Sequence, residues 1–572
     1  VLRTFSKKWV IAVGCVLVFL LLLETLSYAQ TGSLTEKVDK LFASWDKPDS
    51  PGCALGIIQD GKLIYARGYG MANLEHNIPI TSKSIFRIGS TSKQFTAMCL
   101  ALLEEEGKLS LDDSLSKFFP QMPNYAGDIT IRHLIHHTSG LRDYLTLAEI
   151  AGIRDDDYFT DAEVVDLLAR QNELNFKPGE EHLYSNSGYF LMSQIVKKAS
   201  GKSLREYAEE KIFQPLGMTN THFHDDHTKI VKNRASGYAP KKGGGFVISM
   251  TTLPMTGDGG VFTSVEDLFF WDLNFYDNRL GKSGQALIEI IQTPGVLNSG
   301  EKLDYAFGLG IGEHKGLTMV SHGGAFVGFR ADMIRFPEQR FSVICLANLS
   351  TFNPSVMARR VAYIYLADLF KEKSEDTKEP VPQKPGSIEL SEDDLKAKTG
   401  NYYSKKTDAI WNIVLRKGKL QVRAPFTRFL ISPISPTRFV AEELPFRLEI
   451  EFEKNEDGRS YTLYAWQEGS ERGTYNPIQV VEPKPEELGA YVGKYYSKEL
   501  DTTYFLRLRK AKLFMRHENP HKSYPKAALK PMFMDRFQLE RWKLNFIRNE
   551  NEDIIGFKVN AGRVQNILFK KQ

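Results

Sequence analysis

At 572 residues, with 42% hydrophobic and 25% charged side chains, the chain has the composition of a folded protein and the length of three or four domains. Its 74 Lys and Arg nearly balance 70 Asp and Glu, and a net charge of +4 argues against a nucleic-acid partner. Of the four cysteines, Cys15 lies in an N-terminal apolar run and Cys53, Cys99 and Cys345 lie in apolar surroundings. The three outside that run, an odd number without a CxxC pair, read as buried thiols rather than a disulfide framework or a zinc site.

The chain opens on a targeting signal. Arg3, Lys7 and Lys8 precede 15 apolar residues from Trp9 to Leu23, and Ser27-Tyr28-Ala29 is a small-x-small cleavage site. The run falls short of the about 20 residues that a spanning helix needs. Residues 1–29 therefore read as a cleaved signal peptide and the protein as secreted or periplasmic; a membrane enters only if the signal stays uncleaved. A helix is expected near Leu34 to Trp45. Cys53–Ile58 and Leu63–Tyr69 flank Gln59-Asp60-Gly61-Lys62, the pattern of a β-hairpin.

Phe86 to Met98 reads FRIGSTSKQFTAM. Ser90 and Lys93, three apart at a predicted helix start, share one face, so the amine can reach the hydroxyl. The helix N-terminus adds free N–H groups and partial positive charge that favour an alkoxide or oxyanion. That is one way to make a serine nucleophilic. The helix continues, apolar on nearly every face, to Gly107, a rigid mount for such a group. Ile129 to Leu141, ITIRHLIHHTSGL, holds His133, His136 and His137, but neither a fourth ligand nor a zinc-protease acid accompanies them, so it reads as a helix end and turn. Phe176-Lys177-Pro178-Gly179 is a turn; Tyr184-Ser185-Asn186 enters a helix that stops at Gly201. Another helix spans about Leu204 to Ile212. A glycine cluster at 257–260 leads to a helix capped by Ser264, with Asp267 three residues on. Leu317–Val320 reads as a strand with His322-Gly323-Gly324-Ala325 just after it. Phe329–Phe336 and Phe341–Ala347 are further strands, and Arg359–Phe370 a closing helix. Strands at both ends of residues 30–372 and helices between predict an α+β domain: one antiparallel sheet with an inserted helical subdomain.

Residues 373–392, within the charged, proline-containing stretch from Lys371 to Glu392, read as a linker. Beyond it the sequence repeats. LKAKTGNYYS from Leu395 returns as LGAYVGKYYS from Leu488, and LRKGKL from Leu415 returns as LRKAKL from Leu508, both 93 residues later. Arg438-Phe439 and Arg536-Phe537 form a third match at a slightly longer offset. Two homologous all-β, barrel-like domains are expected, 393–482 and 486–572.

SxxK alone is weak: Ser44-Lys47, Ser114-Lys117, Ser299-Lys302 and Ser523-Lys526 match too, and Tyr276-Asp277-Asn278 also fits YxN. Order and company single out Ser90. FRIGSTSKQFTA, LIHHTSGL, KPGEEHLYSNSGYFL, GDGGVFTSVEDL and SHGGAFVGF together resemble the serine β-lactamase and penicillin-binding protein superfamily, in its class C β-lactamase-like branch, over roughly residues 35–370. The resemblance implies an acyl-enzyme on Ser90, with Lys93 and Tyr184 taking and returning its proton. Asn186 would bind the substrate amide and Lys93. His322, Gly323, Gly324 and Ala325 would line the substrate, with the N–H groups of Ser90 and Ala325 as oxyanion hole. Either Lys93 or Tyr184 can be the working base. His322 stands where many members carry lysine, and a histidine is cationic only below about pH 6.5 unless perturbed. This form resembles DD-peptidases, D-aminopeptidases and esterases more than β-lactamases. The expected activity is hydrolysis of D-amino-acid-containing peptides, amides or esters, peptidoglycan-derived ones included, with no cofactor. The alternatives are a β-lactamase, or a non-catalytic penicillin- or cell-wall-binding protein. The terminal domains resemble accessory β-domains that shape an active-site entrance.

Overall fold

The computed structural model describes residues 34–154, 157–370, 388–424, 427–442, 447–467, 472–480, 483–522 and 527–572. The predicted signal segment and most of the predicted linker lie outside the described residues. Those within Val1–Leu141, Asp155–Ala169 and Phe176–Lys373 form one compact unit; those within Arg142–Arg154, Arg170–Asn175 and Ser374–Gln572 form the other.

The first unit is built on a six-stranded antiparallel sheet. Its strands are β1 (Cys53–Gln59), β2 (Lys62–Tyr69), β3 (Gly310–His314), β4 (Leu317–Phe326), β5 (Phe329–Phe336) and β6 (Phe341–Ala347), in the order β3-β4-β5-β6-β1-β2. The ends of this stretch of chain meet where β1 pairs with β6, from Cys53 opposite Ala347 to Gln59 opposite Phe341. The β1–β2 turn works because Asp60 and Gly61 both take positive φ, 50° and 74°, which matches the twist of the hairpin. On one face, Cys53, Leu55, Ile57, Val343 and Cys345 pack against Val38 and Phe42 of a helix over residues 34–42 and against Met357, Val361 and Leu366. Each such side chain contributes about 1.5–3 kcal/mol on burial. Cys53, Cys99 and Cys345 are buried free thiols.

The helices between the strands include α1 (Lys93–Glu105), α2 (Asn186–Ser200) and α3 (Val265–Asn274); α4 (Pro354–Leu366) closes the unit. α4 starts five residues earlier than the apolar pattern predicts, because Asn353 accepts from Val356 N (3.1 Å) and Pro354 presets the first turn. α3 starts as expected, with Ser264 accepting from Asp267 N at 3.1 Å. The Asp267 carboxylate instead accepts from Asn220 N and Thr221 Oγ1, both at 2.8 Å. Further along α3, Asp272 accepts from Arg335 Nε of β5 (2.9 Å) and Ser342 Oγ of β6 (2.8 Å), tying helix to sheet through a buried ion pair.

In the second unit, eight strands from Gly400–Ser404 to Gly473–Ile478 close into a barrel, the first pairing with the last at Asn401 and Ile478. Ile413, Leu420, Ile431, Phe439, Ile450 and Leu463 are in its core. Eight more strands, Gly493–Ser497 to Val564–Lys571, repeat the succession, but their sheet ends on the third strand at one side and the fourth at the other. The repeat extends to single bonds. Tyr402 and Tyr495 each donate to the carbonyl four residues before them, at 2.9 and 2.8 Å. Tyr403 and Tyr496 each donate to an aspartate five residues on, at 2.7 and 2.9 Å. Arg438-Phe439 and Arg536-Phe537 both lie on the fifth strand of their set, each phenylalanine buried. This unit also holds the helix Tyr144–Ile150. Arg142, 1% exposed, donates to Glu499 at 2.7 Å and Gln171 at 3.2 Å; Glu499 also accepts from Asn172 N, and Tyr504 donates to Ile150 O.

Candidate active site

Ser90 lies half-buried in a 3-10 turn, Gly89–Ser92, that runs into α1 at Lys93. The side chain of Lys93 is completely buried. Its Nζ donates to Ser90 Oγ at 3.2 Å, to Asn186 Oδ1 at 2.9 Å and to Asp258 O at 2.6 Å. Three acceptors satisfy an ammonium. A neutral amine keeps Asn186 and Asp258 as acceptors and turns its lone pair to the serine hydroxyl. The same cage therefore serves both sides of a proton transfer, the requirement for activating a serine.

Tyr184 and Asn186 come from the chain entering α2, which packs against α1. Tyr184 meets Lys93 through its ring, with Nζ 4.8 Å from the centroid, and stacks near His137 at 4.2 Å. The other matches to the same short patterns do different work. Lys117 Nζ pairs with Asp113 at 2.7 Å, and Asn278 closes a turn by donating to Leu280 O and Gly284 O. Ser523-Lys526 lies outside the described residues.

His322 sits inside β4, which continues through Ala325 to Phe326, rather than after a strand ending at Val320. The extension is paired throughout with β5, from Val320 opposite Arg335 to Phe326 opposite Phe329. His322 Nδ1 donates to Gly323 O at 2.7 Å, which leaves Nε2 to accept from Tyr305 Oη at 2.9 Å. Burial, then the nearby Lys93 charge, pushes its pKa down to about 4. The ring is neutral near pH 7, a hydrogen-bonding wall rather than a cation.

β4 lies against the Ser90 turn through its glycines. A Cβ on Gly324 would stand 1.9 Å from Ile88 O and 2.9 Å from Thr91 Oγ1; one on Gly89, whose φ is +51°, would stand 2.8 Å from Ala325 N. Gly323 has no such demand, its nearest neighbours being at 3.7 Å. Thr91 Oγ1 donates to His322 O at 3.1 Å, fixing the approach. The site thus brings together Ser90, Lys93, Tyr184, Asn186 and the strand His322–Ala325. Two participants carry no mark in the sequence: Tyr305, whose hydroxyl is the partner of His322 Nε2, and the carbonyl of Asp258. A backbone carbonyl has no residue signature; Tyr305 shows only as an aromatic just ahead of Gly308 and Gly310. The neighbouring histidines are engaged structurally. His133 closes a capping box with Thr130, His136 donates to Tyr305 O, and His137 accepts from Ser185 N.

Residues 38–367 match the family described as Beta-lactamase. Penicillin-binding protein 4* of Bacillus subtilis (strain 168) is 30% identical over 431 residues, 72% of this chain and 92% of that protein. A D-aminopeptidase of Gluconobacter oxydans (strain 621H) is 30% identical over 298 residues, 52% of this chain and 56% of its own length. Among solved structures, the octameric penicillin-binding protein homologue from Pyrococcus abyssi superposes with a TM-score of 0.53 at 26% identity, covering 78% of this chain and 99% of that one.

Proposed function

The chain belongs to the Beta-lactamase family, and as a serine hydrolase of that family we propose that it acts through an acyl-enzyme on D-amino-acid-containing peptides, amides or esters. The observation that carries the reading is the buried Lys93 Nζ held 3.2 Å from Ser90 Oγ by Asn186 and Asp258. Ser90 Oγ attacks the carbonyl carbon while its proton passes to Lys93 or Tyr184; the carbon–nitrogen or carbon–oxygen bond then breaks as that proton returns to the leaving group. Water attacks the ester in the same way and frees Ser90. The N–H groups of Ser90 and Ala325 take the developing oxyanion, and removing one such donor typically costs about 10²–10³ in rate. Asn186 orients the substrate amide, and Gly323 and Gly324 leave room along β4.

The neutral His322 supports a preference within this class. It offers no fixed charge to a substrate carboxylate, which favours amides, esters and free-amine peptides over substrates gripped by a terminal carboxylate. Export fits such substrates, with the N-terminal segment as the signal; among the described residues no helix is long and apolar enough to cross a membrane. A second reading, a penicillin-binding protein with slow deacylation, draws on the relative of that name, 92% of which is covered.

Intact mass and absorbance of the protein with a p-nitrophenyl ester of a D-amino acid and with a penicillin, beside Ser90→Ala, test this. Ester turnover by the wild type alone is expected. A stable penicilloyl adduct without turnover selects the second reading; turnover that persists in Ser90→Ala, or neither adduct nor turnover, refutes the assignment of Ser90.

A further inference from the structure

Beyond the catalytic groups the first unit holds a second concentration of positive charge around a cavity of about 240 Å³, room for about eight waters. Arg87, Arg234 and His224 line it together with the apolar Phe262, Phe329 and Met250. It borders the candidate site through that site's own elements. Arg87 is three residues before Ser90, on the two-residue strand Phe86–Arg87, where it pairs with Phe262 of the strand Val261–Thr263. The Arg87 guanidinium lies 5.1 Å from the ring centroid of Phe326, the residue after Ala325, and Phe329 begins the strand that pairs with it.

Arg234 is half-buried, its guanidinium 5.9 Å from the ring centroid of Phe262, and burial pulls its pKa down with no carboxylate of the described residues opposing it. His224 is buried; its Nδ1 is 3.2 Å from His222 Nε2, while its Nε2 meets no polar atom of the described residues. Burial, His222, Arg234 and Arg87, in that order, hold His224 down at about 4, as a positive local potential requires. Asp225, the carboxylate that reaches the His222 ring, is paired with Arg205 at 2.9 Å and Lys229 at 3.4 Å. A guanidinium with apolar walls and a buried ring nitrogen still open to a partner is the environment of a bound carboxylate.

Resting on the hydrolase reading above, we propose that this cavity receives a carboxylate carried on an apolar stem of the substrate, and so selects acidic side chains. The ligand chemistry is that of a short dicarboxylate, and Arg234 is the group that recognises it.

Two measurements on the full chain decide it. In the first, kcat/KM is compared for D-glutamyl and D-glutaminyl p-nitroanilides, which differ in charge but hardly in shape. The wild type is expected to favour the glutamyl substrate by about tenfold or more, the range of a charge-assisted hydrogen bond. In Arg234→Leu that ratio falls towards one, and in Arg234→Lys part of it is retained. A wild-type ratio near one, or an undiminished ratio in Arg234→Leu, overturns the proposal. The second is calorimetric titration of glutarate, which needs no turnover. Binding to the wild type that is lost in Arg234→Leu, with matching thermal unfolding of the two proteins, supports the cavity as a carboxylate site even if neither anilide is cleaved, in which case it is the hydrolase reading that fails. Glutarate binding without a glutamyl preference in an active enzyme assigns the cavity to a free anion and overturns the substrate role; no glutarate binding overturns the site.

Discussion

Gly324→Ala should disable the enzyme while Gly323→Ala should not, although the two glycines are neighbours on one strand. The added methyl at 324 would stand 1.9 Å from Ile88 O, which is backbone and cannot swing away. Restoring an ordinary contact means moving β4 and the Ser90 turn apart by about 1.5 Å, and a misplacement of about 1 Å already costs about 10²-fold in rate when it separates reacting groups. The displaced atom is the neighbour of Ala325 N, the proposed oxyanion donor, so the loss adds to that of weakening this donor, and about 10²–10³ in kcat/KM is expected. At 323 the methyl meets its nearest atoms, Ala331 O and Ser355 Oγ, at 3.7 Å, and a change of no more than a few-fold follows. Ester hydrolysis under kcat/KM conditions measures both, with the thermal unfolding midpoint as a check on folding. Wild-type activity in Gly324→Ala, or equal losses at both positions, would refute the claim that β4 is held against the Ser90 turn by its lack of a side chain.

Acid should unfold the first unit early. His136 and His322 are held at about 4 in the fold, mainly by burial, but protonate near 6.5 once unfolded, so the unfolded state binds more protons between those values. Their contribution is intact above pH 6.5 and is lost as pH falls, at about 2 kcal/mol each by pH 5; urea midpoints at pH 7 and pH 5 should differ, and less so in His322→Gln. Asp272→Ala strands the 3%-exposed guanidinium of Arg335 and should cost about 3–5 kcal/mol in the same assay, whereas an exposed pair such as Lys117–Asp113 should cost under about 1 kcal/mol. In the second unit, Glu499→Ala removes the carboxylate facing Arg142, and amide exchange over Tyr144–Ile150 should quicken at least tenfold.

The elements with strong local grammar were legible from sequence. Asp60-Gly61 specified the β1–β2 hairpin, the strands Phe329–Phe336 and Phe341–Ala347 had the expected bounds, and Ser264 capped its helix. The 93-residue repeat carried over to paired tyrosine hydrogen bonds. What escaped depends on groups distant in sequence. β4 runs on through His322-Gly323-Gly324 because β5 supplies a partner for every residue, although two glycines in a row argue locally against a strand. The partner of His322 Nε2 is Tyr305, 17 residues earlier and without a motif of its own. Closure of the first β-barrel but not of the second repeat depends on which strands meet, and the repeated segments are alike in both.

The membership of Arg142–Arg154 in the second unit has a consequence for how the protein is made. This segment follows directly on the HTSGL motif, yet Glu499 comes 357 residues after Arg142. At about 5–20 residues per second, a ribosome delivers that partner roughly 20–70 s after Arg142 has been added. Until then a guanidinium destined for burial, and a helix destined to meet Tyr504, wait in a nascent chain whose first unit has long been complete in sequence. Maturation of this stretch is therefore timed by translation of the second β-repeat, and a premature stop there would reach back to the residues that follow Leu141.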